Sequence, residues 1–181
     1  MKHLIITFFN VLHIAMVYIA KLMMIAMVLI IFTNVVLRYV FNSGLMWSEE
    51  VALLLAVWFI FIAMSLGVKQ GLHINISLIP ENRLPAWLAR VFEILKSLAV
   101  LVLAIVMLLD GWKLVGFTMK SIMPATMWPA GLLYAVLPFS AVVMIYESLA
   151  DLLGMDTRDA AVDRFLAGTG SFRDVLEGPH A

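Results

Sequence analysis

The chain has 181 residues, 64% hydrophobic and 13% charged, with 12 basic and 12 acidic side chains that cancel. Soluble domains carry roughly 45–50% apolar and 25% charged residues, so this is the composition of a membrane protein, and the neutral balance leaves no basic footprint for nucleic acid. With no cysteine, a disulfide framework, thiolate metal sites, iron–sulfur clusters and a cysteine nucleophile are excluded. A span needs about 20 residues, so four or five crossings use over half of the chain and leave no room for a large soluble catalytic domain.

From Leu4 to Leu37 there is no Gly or Pro, and Lys21 is the one charged residue. No hairpin can turn inside such a stretch, so it predicts one helix. Residues 3–37 would extend roughly 52 Å at 1.5 Å per residue, well beyond a hydrocarbon core of about 30 Å. His3, Thr7, Asn10, His13 and Lys21 fall at intervals compatible with one helical face, which predicts an N-terminal amphipathic segment lying at the interface, followed by a crossing over about 18–40. Lys21 and Arg38 bracket that crossing about 25 Å apart and can snorkel to opposite headgroup regions.

The second span is expected over about 49–68, with Ser48 as N-cap and Trp47 as interfacial anchor. A third covers about 88–112, where Arg90, Glu93 and Lys96 form a wet entrance and Trp87 and Trp112 mark the ends. The fourth covers about 129–149, opening at Pro129 and kinked by Pro138, with Tyr146 and Glu147 at its exit. These spans make residues 1–150 an all-α domain of four transmembrane helices, followed by a short, polar, partly disordered tail over 151–181. Lys2, Lys21, Lys69, Arg83, Arg90, Lys96, Arg158, Arg164 and Arg173 fall on one side of the membrane, and Arg38, Lys113 and Lys120 on the other. The positive-inside rule then puts both termini in the cytoplasm.

Chemistry inside the spans is sparse. The polar residues there are Thr33, Asn34, Ser65 and Ser140, all neutral, with no carboxylate or cation at a span centre of the kind that ion and proton pathways use. The four histidines form no metal-binding pair on one helical face. No metal and no cofactor are expected. No repeat with a period of 20–50 residues is present, which argues against an inverted-repeat transporter within this chain.

The most informative stretch runs from Arg38 through Tyr39-Val40-Phe41 and a short turn to Trp47-Ser48-Glu49-Glu50. Arg38 closes one helix and two carboxylates open the next, so a hairpin ion pair is expected, with the acids also favoured by the helix dipole. Trp47, Glu50, Leu54, Trp58, Phe61 and Ser65 recur at steps of three or four along one stripe of the second span. An interaction site and lipid-facing packing both account for that stripe. His73 stands alone just beyond it.

The order and spacing of Arg38-Tyr39-Val40-Phe41, Trp47-Ser48-Glu49-Glu50, Trp58, Gly71 and His73-Ile74 resemble the first hairpin and second helix of the small, four-helix membrane subunit of tripartite ATP-independent periplasmic (TRAP) transporters. A second block, Pro124-Ala125, Pro129, Gly131, Tyr134-Ala135 and Leu137-Pro138, is similar to that family's entry into its last helix. Ala63 stands where the family often has glycine, and Ser77 where an acid often follows the histidine. The resemblance implies a multi-pass inner-membrane protein, not an enzyme. Its partners would be a large permease subunit, a periplasmic substrate-binding protein and membrane lipids, in a system taking up an organic acid on an ion gradient, typically sodium. The small subunit would act as a scaffold, with a subunit contact at Arg38, Trp47, Glu49, Glu50, Trp58, His73, Tyr134 and Pro138. The competing class is a membrane anchor for a haem or quinone electron-transfer complex, which needs facing intramembrane histidines that His13 and His73 do not supply. A small multidrug exporter needs a carboxylate deep in the bundle, and Glu93 sits near the interface.

Overall fold

The computed structural model describes residues 2–69, 86–153 and 162. Among them the order is α1 (Lys2–Val40), α2 (Ser48–Lys69), α3 (Ala86–Thr118), α4 (Gly131–Tyr134) and α5 (Val136–Leu152), with no strand beyond an isolated bridge between Ile122 and Pro129. Four helical stretches are long and apolar enough to cross a membrane, the last formed by α4 and α5 together. The chain is therefore an all-α, multi-pass membrane protein. His73, Gly71 and Ile74 lie outside the described residues, as does the tail from 154 onward apart from Val162.

The unbroken apolar run after Leu4 forms α1 as one 39-residue helix. It ends at Asn42, whose φ of 51° is tolerated by a short polar side chain. The Ser43 amide then returns to the Leu37 carbonyl at 3.0 Å. The N-terminal half of α1 does not lie apart as an interfacial segment. Of its polar residues Asn10 and His13 are buried and Lys21 is exposed, and Phe9 stacks on Tyr146 of α5 with ring centroids 3.4 Å apart. Glu147, read as marking the exit of the last span, is also buried. The periodicity of an amphipathic helix shows that one face is polar. It does not show whether that face meets headgroups or another helix.

Nine of the 17 residues of α5 are buried, so this helix is the axis around which the others pack. On one side Val136 and Val143 join Met16 and Ala20 of α1 and Ile62 of α2, with Val57, Trp58 and Phe61 packed around them. On another, Met144 meets Val68 of α2 and Ala104 of α3. Hydrophobicity does not distinguish a neighbouring helix from lipid, so close approach of small residues provides the dispersion that holds such contacts. Ala104, Ala141 and Ser140 are fully buried where α3 and α5 meet, and a Cβ on Gly111 would come within 3.1 Å of Leu137 and 3.4 Å of the Pro138 ring.

The fourth span stays helical through Ala135 (φ −61°, ψ −21°), whose amide donates to the Gly131 carbonyl at 3.0 Å; what separates α4 from α5 is one missing rung, because Pro138 has no amide to donate to the carbonyl of Tyr134 four residues back. Gly131 at the start of α4 is the tightest point: a Cβ there would meet the Met119 side chain at 2.7 Å and the Met119 amide nitrogen at 2.9 Å. Backbone cannot yield cheaply, so Gly131→Ala should cost about 1–3 kcal/mol through overpacking. Gly116, with nothing within 4 Å, is the control, and Gly116→Ala should be neutral or gain up to about 1 kcal/mol of helix propensity. Denaturant unfolding of the purified variants in detergent checks both, and equal stability of the two would refute the close approach.

Candidate functional site

The two sequence blocks singled out above meet at one end of the bundle, hereafter the turn end, where the α1–α2 turn and the α3–α4 loop lie side by side. In the α1–α2 turn the Leu45 amide donates to Asn34 Oδ1 at 2.7 Å, tying the turn back to α1. Ser48 does not act as an N-cap. Its hydroxyl donates backward to the Leu45 carbonyl at 2.7 Å, and the Val51 amide donates to the Trp47 carbonyl, so Trp47 holds the capping position and Ser48 is the first helical residue. Glu49 and Glu50 then occupy the first turn, where the helix dipole favours negative charge.

The α3–α4 loop is a miniature hairpin. The Ala130 amide donates to the Ser121 carbonyl and the Met123 amide to the Trp128 carbonyl, both at 2.8 Å, and the Met127 amide closes the tip on Met123 at 3.0 Å. Pro124 has no amide, so the first donors at the tip belong to Ala125 and Thr126. Both point at Glu50. One carboxylate oxygen accepts the Ala125 amide at 2.8 Å, and the other accepts the Thr126 amide at 2.8 Å and the Thr126 hydroxyl at 2.7 Å. An ionised acceptor makes these the stronger kind of hydrogen bond. Met127 is held at φ 58°, a left-handed conformation costly for a bulky side chain; the rungs and the Glu50 grip on either side of it over-determine the turn.

Two turns further along α2, the Trp58 indole donates to the Leu132 carbonyl of α4 at 2.9 Å. Leu54, Trp58 and Phe61 are half-buried, and the Ser65 hydroxyl is buried and bonded to the Ile62 carbonyl at 2.8 Å. The stripe from Glu50 to Ser65 thus faces the loop, α4 and α5 rather than lipid alone. Pro138 is buried against α3, and Tyr134 is half-buried on α4.

The expected ion pair between Arg38 and the carboxylates does not form: Arg38 carries none to Glu49 or Glu50. Consecutive helical residues point about 100° apart, so when Glu50 faces the α3–α4 loop Glu49 faces α1 instead. Arg38, Tyr39 and Glu49 are exposed and line an open cleft between α1 and α2 together with Asn34, Asn42 and Gly44. Sequence reading passed over Thr126 and gave Asn34 no role. The signal for Thr126 was the pair Pro124 and Pro129, which frame a tip with free amides; a lone neutral Asn34 carries no such flag.

A bundle of membrane helices locked at one end by a carboxylate and an indole, each bonded across to the other loop region, describes a multi-pass membrane subunit. The model of the DctQ component of tripartite ATP-independent periplasmic transporters matches residues 27–158, well over half of the chain. The chain belongs to that family of transporter components, whose members are not enzymes. It is 31% identical over 87 residues to a Vibrio cholerae protein named C4-dicarboxylate TRAP transporter small permease protein, covering 48% of this chain and 37% of the relative. Two Haemophilus influenzae proteins carry the provisional name of TRAP transporter small permease protein. One is 27% identical over 60% of this chain and 66% of its own length, the other 30% identical over 71% and 77%. The chain thus spans little more than a third of the first of these relatives and just under two thirds of the second.

Because Glu50 grips the loop tip, Glu50→Gln should speed amide hydrogen exchange at Ala125 and Thr126, whereas Glu49→Gln should leave it unchanged. In a double-mutant cycle, Glu50→Gln and Thr126→Val should be non-additive in unfolding free energy, because each removes a bond the other also needs. Additive effects with unaltered exchange would dissolve the contact.

Proposed function

We propose that this chain is the scaffold subunit of a TRAP transport system, in which a periplasmic binding protein delivers an organic acid to a large permease subunit and a sodium gradient drives uptake. The family match over residues 27–158 carries this reading, and the geometry supports it: three of the side chains that sequence reading marked are spent on joining the chain's own helices. Glu50 holds a loop tip, Trp58 a helix end and Pro138 a packing surface. Such a chain supplies a fixed shape. The relatives' names support the class of cargo, a C4-dicarboxylate being named for one of them. For the subunit contact we assign Trp47, exposed at the turn end, together with the exposed Trp128 at the same end. The protein resides in the inner membrane, with both termini in the cytoplasm and the turn end in the periplasm.

Proteoliposomes test the division of labour. Those holding this chain alone should show no uptake of a dicarboxylate on an imposed sodium gradient, and those holding it with the large permease and the binding protein should. Saturable uptake by the chain alone would overturn the scaffold reading. The orientation is tested separately, since the chain has no cysteine. Single cysteines at Ser43 and Ser121 should react with an impermeant thiol reagent in intact cells, and those at Asn82 and Ser171 should react only after lysis. The reverse pattern would invert the topology.

A further inference from the structure

Between the outer halves of α1 and α2 runs a second cleft of about 520 Å³, lined by Met27, Ile31, Val35, Leu53 and Ala56. It shares Asn34, Arg38, Tyr39 and Glu49 with the polar cleft of about 540 Å³ at the turn end. The two therefore form one groove, apolar at depth and charged at its mouth. Each volume lies within the ~300–1,000 Å³ usual for ligand sites. The charged mouth is unusual in that Arg38 and Glu49 share its walls without pairing with one another.

We infer that this groove binds one zwitterionic phospholipid with a primary ammonium headgroup, phosphatidylethanolamine, from the leaflet on the turn side. The phosphate lies against the Arg38 guanidinium, the ammonium against the Glu49 carboxylate, and one acyl chain descends between α1 and α2. Charge complementarity selects this occupant: the groove presents one cation and one anion, unpaired, and the headgroup presents the matching anion and cation. Length agrees. From Arg38 down to Met27 is 11 residues, about 16 Å of helix, against about 15 Å for half of a hydrocarbon core. Phosphatidylglycerol would satisfy Arg38 with its phosphate but set a neutral glycerol, and no cation, against Glu49. Phosphatidylcholine would offer Glu49 no hydrogen-bond donor. The inference rests on the groove alone and stands apart from the transport reading.

Native mass spectrometry of the full-length protein in mild detergent, titrated with phosphatidylethanolamine, phosphatidylcholine and phosphatidylglycerol, provides the test. The wild type should bind one phosphatidylethanolamine about tenfold more tightly than either competitor, the scale of one charge-assisted contact. Glu49→Gln should abolish that preference while retaining phosphatidylglycerol, and Arg38→Ala should weaken both lipids. Leu53→Trp, which fills the apolar part and leaves both charges in place, should weaken all three. Arg38, Glu49 and Leu53 are exposed, so these variants leave the packed interior untouched, and a circular dichroism melt matching the wild type verifies it. Equal binding of the three lipids to the wild type, or unchanged binding in both charge variants, would overturn the assignment.

Discussion

A single carboxylate organises the turn end of this protein. Glu50 stands in the first turn of α2 and accepts three hydrogen bonds from residues 75 and 76 positions further along the chain. Loop amides near the hydrocarbon boundary must find partners within the protein or in a thin layer of water. Glu50 provides them for two consecutive amides and a hydroxyl. Once the tip is fixed, the rungs from Ser121 to Ala130 set the direction in which the chain enters α4. The Trp58 indole then fixes α4 itself by engaging the Leu132 carbonyl. Two side chains on one stripe of α2 thus determine how the last span begins.

Below that level the fold depends on how closely helices approach. Helix α5 lies at the centre because its small and medium side chains let α2 and α3 come close from different directions, while α1 packs on α2 and reaches α5 through side chains such as Met16. Gly111 and Gly131 mark where α3 and its following turn run nearest to the last span. The outer faces of α1 and α3 retain long rows of exposed Leu, Ile, Val and Phe, as suits surfaces that meet acyl chains. The half-buried stack of Phe9 on Tyr146 sits at the opposite end from Glu50, so the long first helix is tied to α5 there and to the α1–α2 turn through Asn34.

The architecture was legible in the sequence because apolar runs of sufficient length, separated by Pro, Gly and charge, have one solution in a bilayer. The family was legible because two blocks of residues recur in order. Directions around each helix were harder to read. Arg38 and the carboxylates are neighbours across a turn, which suggested an ion pair, but a 100° step between Glu49 and Glu50 sends one toward α1 and the other to a loop far along the chain. Asn10 and His13 gave a polar stripe with no indication of what it faces. Ser48 looked like a cap by residue type, but Trp47 holds the capping position and Ser48 is the first helical residue. Pro138 announced a disturbance in the last span, and its missing amide removes one rung from a helix that otherwise continues through Ala135.

The first helix is out of proportion to its neighbour. The apolar part of α1 covers 33 residues and that of α2 covers 21, about 50 Å against about 32 Å at 1.5 Å per residue. Only the shorter one matches an ordinary hydrocarbon thickness upright. Leaning alone does not absorb the difference, because fitting about 50 Å into about 30 Å demands an inclination above the ~40° limit seen for membrane helices. So α1 must project beyond the core as well as incline, while α2 can end at its edges. The two helices of the first hairpin therefore meet the bilayer with different hydrophobic heights.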